Sequence, residues 1–162
     1  MEENSSVLID GRNECRDCAR NLIALAKQRV YIISQRLEPE IYNDREIYNH
    51  LTYLATNNRK TDIRIITHDT RVAANQGHFL IHLAQKLPSF TQIHTTVSQD
   101  HRKFMESWLL IDDMAYMRIK DPVRFEGYFE VDNKLECKSY IDRFEEMWEA
   151  CDVDQNTRRL SI

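Results

Sequence analysis

The chain has 162 residues, a net charge of −4 and 42% hydrophobic residues, with only 3 Gly and 3 Pro. That is enough apolar material for one closed core, and it excludes collagen-like, linker-dominated and low-complexity chains. No apolar run approaches the roughly 18 residues of a membrane span. The basic surplus of a general nucleic-acid coat is also absent, so a nucleic-acid partner is disfavoured.

The first six residues, 1–6, are polar and acidic, without a charged-then-apolar secretory pattern, so a cytoplasmic protein is expected. Residues 12–28 place Cys15, Cys18, Ala19, Leu22, Leu25 and Ala26 at helical spacing, predicting a first helix. Val30-Tyr31-Ile32-Ile33 is a β-branched run and reads as a buried strand. Glu38-Pro39-Glu40 reads as a loop. A second helix is predicted over 44–57, with Asp44 as its N-cap, and a second strand over 62–67. A third helix is expected over 71–87, ended by Pro88-Ser89. A weak third strand spans 90–96, followed by a charged loop at 98–103.

Ser107 to Asp112 is the most apolar strand. Residues 115–119 follow it across Asp113-Met114 as a hairpin. Residues 125–131 suggest a further strand, and 133–151 a last helix burying Cys137, Ile141, Phe144, Trp148 and Cys151. Strands separated by helices predict an α/β fold with a mixed, mostly parallel sheet and helices on both faces. One domain over 1–151 with a frayed polar tail at 152–162 is the expected organisation.

With so few glycines there is no phosphate-cradling loop, and no nucleophile elbow or zinc-protease motif occurs. Cys15-x-x-Cys18 lacks the second Cys/His pair of a zinc site, and His78 and His82 have no third ligand. No metal or other cofactor is therefore expected. The cysteines read as small apolar residues in a reducing compartment. Ligands in α/β sheets sit beyond the carboxyl ends of strands. The donor-rich ends Ser34-Gln35-Arg36 and Thr67-His68-Asp69-Thr70-Arg71 are thus candidates to meet in one crevice. Asp69 or Thr70 equally suits a helix N-cap. His101-Arg102-Lys103 is a cationic loop, suited either to phosphate or to solvent. Asp112-Asp113 suits a turn.

The segments 30–34 and 61–67, the strand 107–113 and the Phe144-x-x-x-Trp148 helix together resemble one half of a phospholipase D superfamily protein, over residues 7 to 151. Gly77-His78, residues 83–89 and residues 106–110 resemble, more narrowly, a bacterial phospholipase D-like family without an assigned function. In the active superfamily a His-x-Lys-x4-Asp motif supplies a nucleophilic His and a charge-stabilising Lys. Aligned on Asp112, Met105 and Ser107 stand at those positions; aligned on Asp113, Glu106 and Trp108 do. Neither register supplies the pair, and the downstream Gly-Ser-x-Asn-like element is missing.

The resemblance thus implies a catalytically silent domain that binds a phosphate-like or acidic ligand, or a protein partner. Its candidate rim donors are Arg36, Arg71, His78, His101, Lys103 and Arg118. It also implies a homodimer. The alternative is a phosphodiesterase or nuclease with a displaced His101-x-Lys103 site, or with Glu106 as nucleophile.

Overall fold

The computed structural model describes residues 6–157. The expectation for the polar N-terminus, residue 6 apart, and that for the last five residues therefore lie outside the described residues.

The elements in chain order are β1 (Val7–Asp10), α1 (Arg12–Leu25), β2 (Arg29–Ile33), α2 (Pro39–Tyr42), α3 (Arg45–Asn57), β3 (Asp62–Thr67), α4 (Arg71–Gln76) and α5 (Phe79–Lys86). They continue with β4 (Thr91–Thr96), α6 (Gln99–Arg102), β5 (Ser107–Ile111), β6 (Ala115–Asp121), β7 (Glu126–Glu130), α7 (Lys134–Glu149) and β8 (Cys151–Val153).

The eight described strands form one sheet in the order β1-β7-β6-β5-β2-β3-β4-β8. The expectation of a mostly parallel sheet is corrected here. Only β2 with β3 and β3 with β4 run parallel. The other five pairings are antiparallel. The reason lies in the connections. Each parallel pair is joined through helices, as parallel pairing requires. After β4 the chain instead makes the single turn of α6, crosses the carboxyl ends of β3 and β2, and enters β5 antiparallel to β2, with Trp108 opposite Ile33.

The strand alternation separates two cores. Val30, Ile32, Ile63, Ile65, Leu109 and Ile111 pack with α1, α3 and α5 on one face. Tyr31, Ile33, Ile66, Trp108, Leu110 and Tyr116 pack with α7 on the other. The last helix buries Cys137, Ile141, Phe144 and Trp148 as its spacing predicts, and Tyr31 stacks on Phe144. Among the described residues, no helix is long and apolar enough to cross a membrane.

Several local differences have plain causes. The helix predicted over 71–87 is two helices, because Gly77 (φ 74°) takes a left-handed C-cap and His78 starts α5. Cys151, expected at the end of the last helix, and residues 152–153, expected in a frayed tail, instead pair with β4 as β8. β1, short and half exposed, pairs with β7. Gly127 is required where β7 passes β6, since a Cβ there would collide with the Arg118 carbonyl.

Asp112, at the turn after β5, has φ 52°, and its carboxylate accepts from the backbone N–H groups of Lys27, Gln28 and Arg29 at 2.8 to 2.9 Å. It ties the end of β5 to the start of β2, a long-range use beyond the turn role expected of it. Asp112→Ala should cost about 3 kcal/mol in urea unfolding, because charge-assisted hydrogen bonds are lost together. Asp112→Asn should cost clearly less, since Asn tolerates this backbone and keeps one acceptor. Equal losses in the two variants would show that the carboxylate is not the anchor.

Candidate functional site at the strand ends

The donor-rich ends of β2 and β3 do meet. Gln35 O accepts from Thr67 Oγ1 at 2.9 Å and from His68 N at 3.1 Å. Above them runs the segment from α6 to β5. His68 Nε2 reaches Phe104 O at 2.7 Å, and Gln35 Nε2 donates to Met105 O. A carbonyl only accepts, so Nε2 of His68 holds the proton; in the neutral ring Nδ1 then accepts from the Thr96 hydroxyl, 2.7 Å away. His68 therefore pins the crossing segment over the ends of β2 and β3.

Under this roof the side chains are buried. Ser107 is fully buried, and its hydroxyl donates to Ile33 O at 3.0 Å. Met105 is exposed. Glu38 is 1% exposed, and neither carboxylate oxygen has a hydrogen-bond donor among the described residues. Burial pushes the Glu38 carboxyl up to about 7, against a smaller lowering by Arg36. Burial, then the Glu38 charge, pushes the Tyr42 phenol well above its ordinary value.

The open part of the strand ends is a crevice of about 460 Å³ beyond β3 and β4, lined by His68, Asp69, Arg71, Thr95, Thr96, Arg102, Asp154, Gln155 and Asn156. Two arginines line it. Arg71 is held by Asp69, with Nη2 to Oδ2 at 2.8 Å, and that pairing keeps the Asp69 carboxyl below its usual range. Arg102 donates from Nε to Thr96 O at 3.4 Å.

The other sequence candidates lie elsewhere. His78 is 2% exposed, with Nε2 at 2.7 Å from Leu37 O and Nδ1 accepting from Leu80 N, so it caps α5 inside the core. Burial lowers its pKa, which keeps the ring neutral. Arg36 is half exposed and paired with Glu40 at 2.9 Å. Arg118 is in a two-point ion pair with Glu106 and also donates to the Tyr128 and Tyr140 hydroxyls. Burial raises the Glu106 pKa, but hydrogen bonds from Arg118 and Trp108 outweigh it and hold the carboxyl below its usual value. His101 lines a separate pocket of about 200 Å³ against Trp108 and Arg143 of α7, whereas Lys103 is exposed and not part of that lining.

Of the candidate rim donors, Arg71 alone lines the crevice, joined there by His68, Arg102 and Asp154. Arg102 had a visible signal, its place in the cationic loop. Asp154 had none, because its position depends on the nonlocal pairing of β8. Among the described residues, no group of three or more His, Cys, Asp and Glu could hold a metal.

A family model described as a domain of unknown function (DUF7931) matches residues 11–160. The chain belongs to that family. No curated protein matches it. Its fold is similar to solved phospholipase D-like structures. NucT from Helicobacter pylori aligns with a TM-score of 0.64 at 14% identity, over 92% of this chain and 98% of that one. Nuc from Salmonella typhimurium, a phospholipase D family member, aligns at 0.63 and 11%, again over 92% and 98%. The archaeal chromatin protein TrmBL2, whose structure shows a mode of DNA binding, aligns at 0.69 and 11%, over 94% of this chain and 54% of that one. The chain thus spans about half the length of TrmBL2. At these identities the likeness concerns the fold alone. It lends no support to the expectation, drawn from net charge, that nucleic acid is an unlikely partner.

The raised Glu38 pKa makes a signed prediction. Between its unfolded value near 4.5 and about 7, the folded chain holds a proton that the unfolded chain releases, so stability falls as pH rises through that window and then levels. The wild-type stability relative to Glu38→Gln should drop by about 3 kcal/mol from pH 4.5 to 7.5 in urea titrations. Parallel curves would contradict it.

Proposed function

We propose that the chain is a phospholipase D-like domain that holds a small phosphate-bearing or otherwise acidic ligand at the ends of β3 and β4 without hydrolysing it. The supporting observation is the state of Ser107. Counted from Asp112, which anchors the strand end, Met105 stands where the superfamily motif has His and Ser107 where it has Lys; counted from Asp113, Glu106 and Trp108 stand there. A thioether is no phosphoryl nucleophile. A buried hydroxyl donating to Ile33 O offers no charge to a developing phosphorane. Binding needs less: Arg71 and Arg102 both line one crevice, and guanidiniums suit phosphate oxygens.

The alternative reading, hydrolysis through His101 and Lys103 or Glu106, has weaker support. The His101 ring and the Lys103 ammonium do not share a pocket lining, and Glu106 is neutralised by Arg118. The reading also includes self-association of two copies, as the resemblance implies. TrmBL2 makes duplex DNA one of the acidic ligands to assay, at low salt, where phosphate contacts are strongest.

Bis(p-nitrophenyl) phosphate in the presence of a chelator should show no turnover above the uncatalysed rate. Turnover lost in His101→Ala would overturn the silent-domain reading in favour of the displaced site. In calorimetric titration, inorganic phosphate should bind the wild type and lose at least about tenfold in affinity in Arg71→Gln/Arg102→Gln, the loss of charge-assisted contacts. Unchanged binding would remove the crevice from the account. Sedimentation velocity should give about twice 19.3 kDa, and a species at 19.3 kDa would contradict self-association.

A further inference from the structure

We infer that the crevice selects a phosphate monoester that also bears a hydrogen-bond donor, a hydroxyl or an ammonium, and that Asp154 reads this donor. The inference rests on the anion-binding reading of the same crevice and goes beyond it in naming the ligand class.

Asp154 lines the crevice and yet is only 2% exposed. Its backbone N–H donates to Ile93 O at 3.0 Å, which continues the β4–β8 pairing and fixes the residue beside the β4 edge. One carboxylate oxygen, Oδ1, accepts from the Thr70 hydroxyl at 2.8 Å. That hydroxyl has no further proton to give, and it accepts from Asn156 Nδ2 at 3.2 Å. The second oxygen, Oδ2, is buried and has no donor among the described residues. A buried carboxylate oxygen without a donor is costly to a fold, and such groups are uncommon in native proteins.

Two guanidiniums line the same crevice, yet neither pairs with Asp154. Arg71 is held on Asp69, and Arg102 on Thr96 O. Nη1 of Arg71 and both Nη atoms of Arg102 make no hydrogen bond among the described residues. The charged lining is therefore balanced: Arg71 and Arg102 against Asp69 and Asp154. A phosphoryl group ionised at every free oxygen would satisfy the guanidiniums and meet repulsion from Asp154. An ester with its phosphate on the arginines and a donor a few bonds away satisfies both. At about 460 Å³ the crevice has the size of a small-ligand site. Asn156 and Thr96 add further polar groups for a hydrophilic ester.

The test compares four probes on the full chain by calorimetry: inorganic phosphate, methyl phosphate, glycerol 3-phosphate and phosphoethanolamine. Methyl phosphate is an ester without a donor. The last two offer a hydroxyl and an ammonium, and separate those two sources. At least one of them should bind about tenfold more tightly than methyl phosphate, the scale of one charge-assisted hydrogen bond. Asp154→Asn keeps an acceptor for Thr70 but removes the charge. It should reduce the preference over methyl phosphate to about twofold or less. A wild type that binds all four alike overturns the donor inference while sparing the anion site, and it does so whether or not the variant folds. A preference that survives in a folded Asp154→Asn overturns the assignment to Asp154. Silence toward all four probes overturns the anion-binding reading itself.

Discussion

The grip of the Asp112 carboxylate on three successive backbone amides, Lys27 to Arg29, sets the geometry of everything near the strand ends. It joins the end of β5 to the start of β2 and so holds the antiparallel register in the middle of the sheet, Val30 against Ile111 through Ile33 against Trp108. From that register Ser107 necessarily lies beside the Ile33 carbonyl. Glu106, next along, reaches Arg118 on β6 and the Trp108 indole. A one-residue slip would turn every side chain of this central strand to the other face. One carboxylate therefore both stabilises the fold and determines which groups are available for chemistry.

Counted from Asp112, the strand carries an exposed Met105 and a fully buried Ser107. Ser107, Glu38 and Tyr42 are buried together beneath the α6–β5 segment that His68 pins across the strand ends. Charge is expensive there, which is why the Glu38 carboxyl sits near 7 and the Tyr42 phenol far above its ordinary value. The free cationic groups are displaced sideways, to the β3 and β4 ends, where the crossing segment does not cover the sheet. On the proposed reading binding and hydrolysis are separable on this scaffold, because the crevice that Arg71 and Arg102 line does not include Met105 or Ser107. A similar fold occurs in a phospholipase D family member and in a chromatin protein whose structure shows a mode of DNA binding, and the fold alone does not choose between such uses.

Much of this was legible in the chain, for reasons that can be named. Asp44 caps α3 through Ile47 N as its position before an apolar stripe suggests. The Ser107–Ile111 run is the buried centre that its composition implies. Local signals failed where the decisive contact is distant. The parallel content is lower than expected because the short strands β1 and β8, which take their geometry from β7 and β4, add two antiparallel pairs. Cys151 reads as helix and Asp152 to Asp154 as a polar tail, because these residues gain their strand geometry only from β4. His78 looked like a rim donor because its spacing says nothing of burial, and in the fold both ring nitrogens serve the backbone. Arg118 and Glu106, each a candidate alone, cancel as an ion pair across adjacent strands.

The central claim is that this sheet keeps an anion-binding crevice at the ends of β3 and β4 while the strand that would hold a catalytic pair is closed. A phosphate titration of the isotope-labelled chain, followed residue by residue by NMR, tests it most directly. The account predicts shifts clustered at His68 to Arg71, Thr95, Thr96 and Arg102, with Ser107 and Ile33 unmoved. Shifts centred on Met105 to Ser107, or confined to the distant cationic residues Lys27, Arg29 and Lys134, would contradict it.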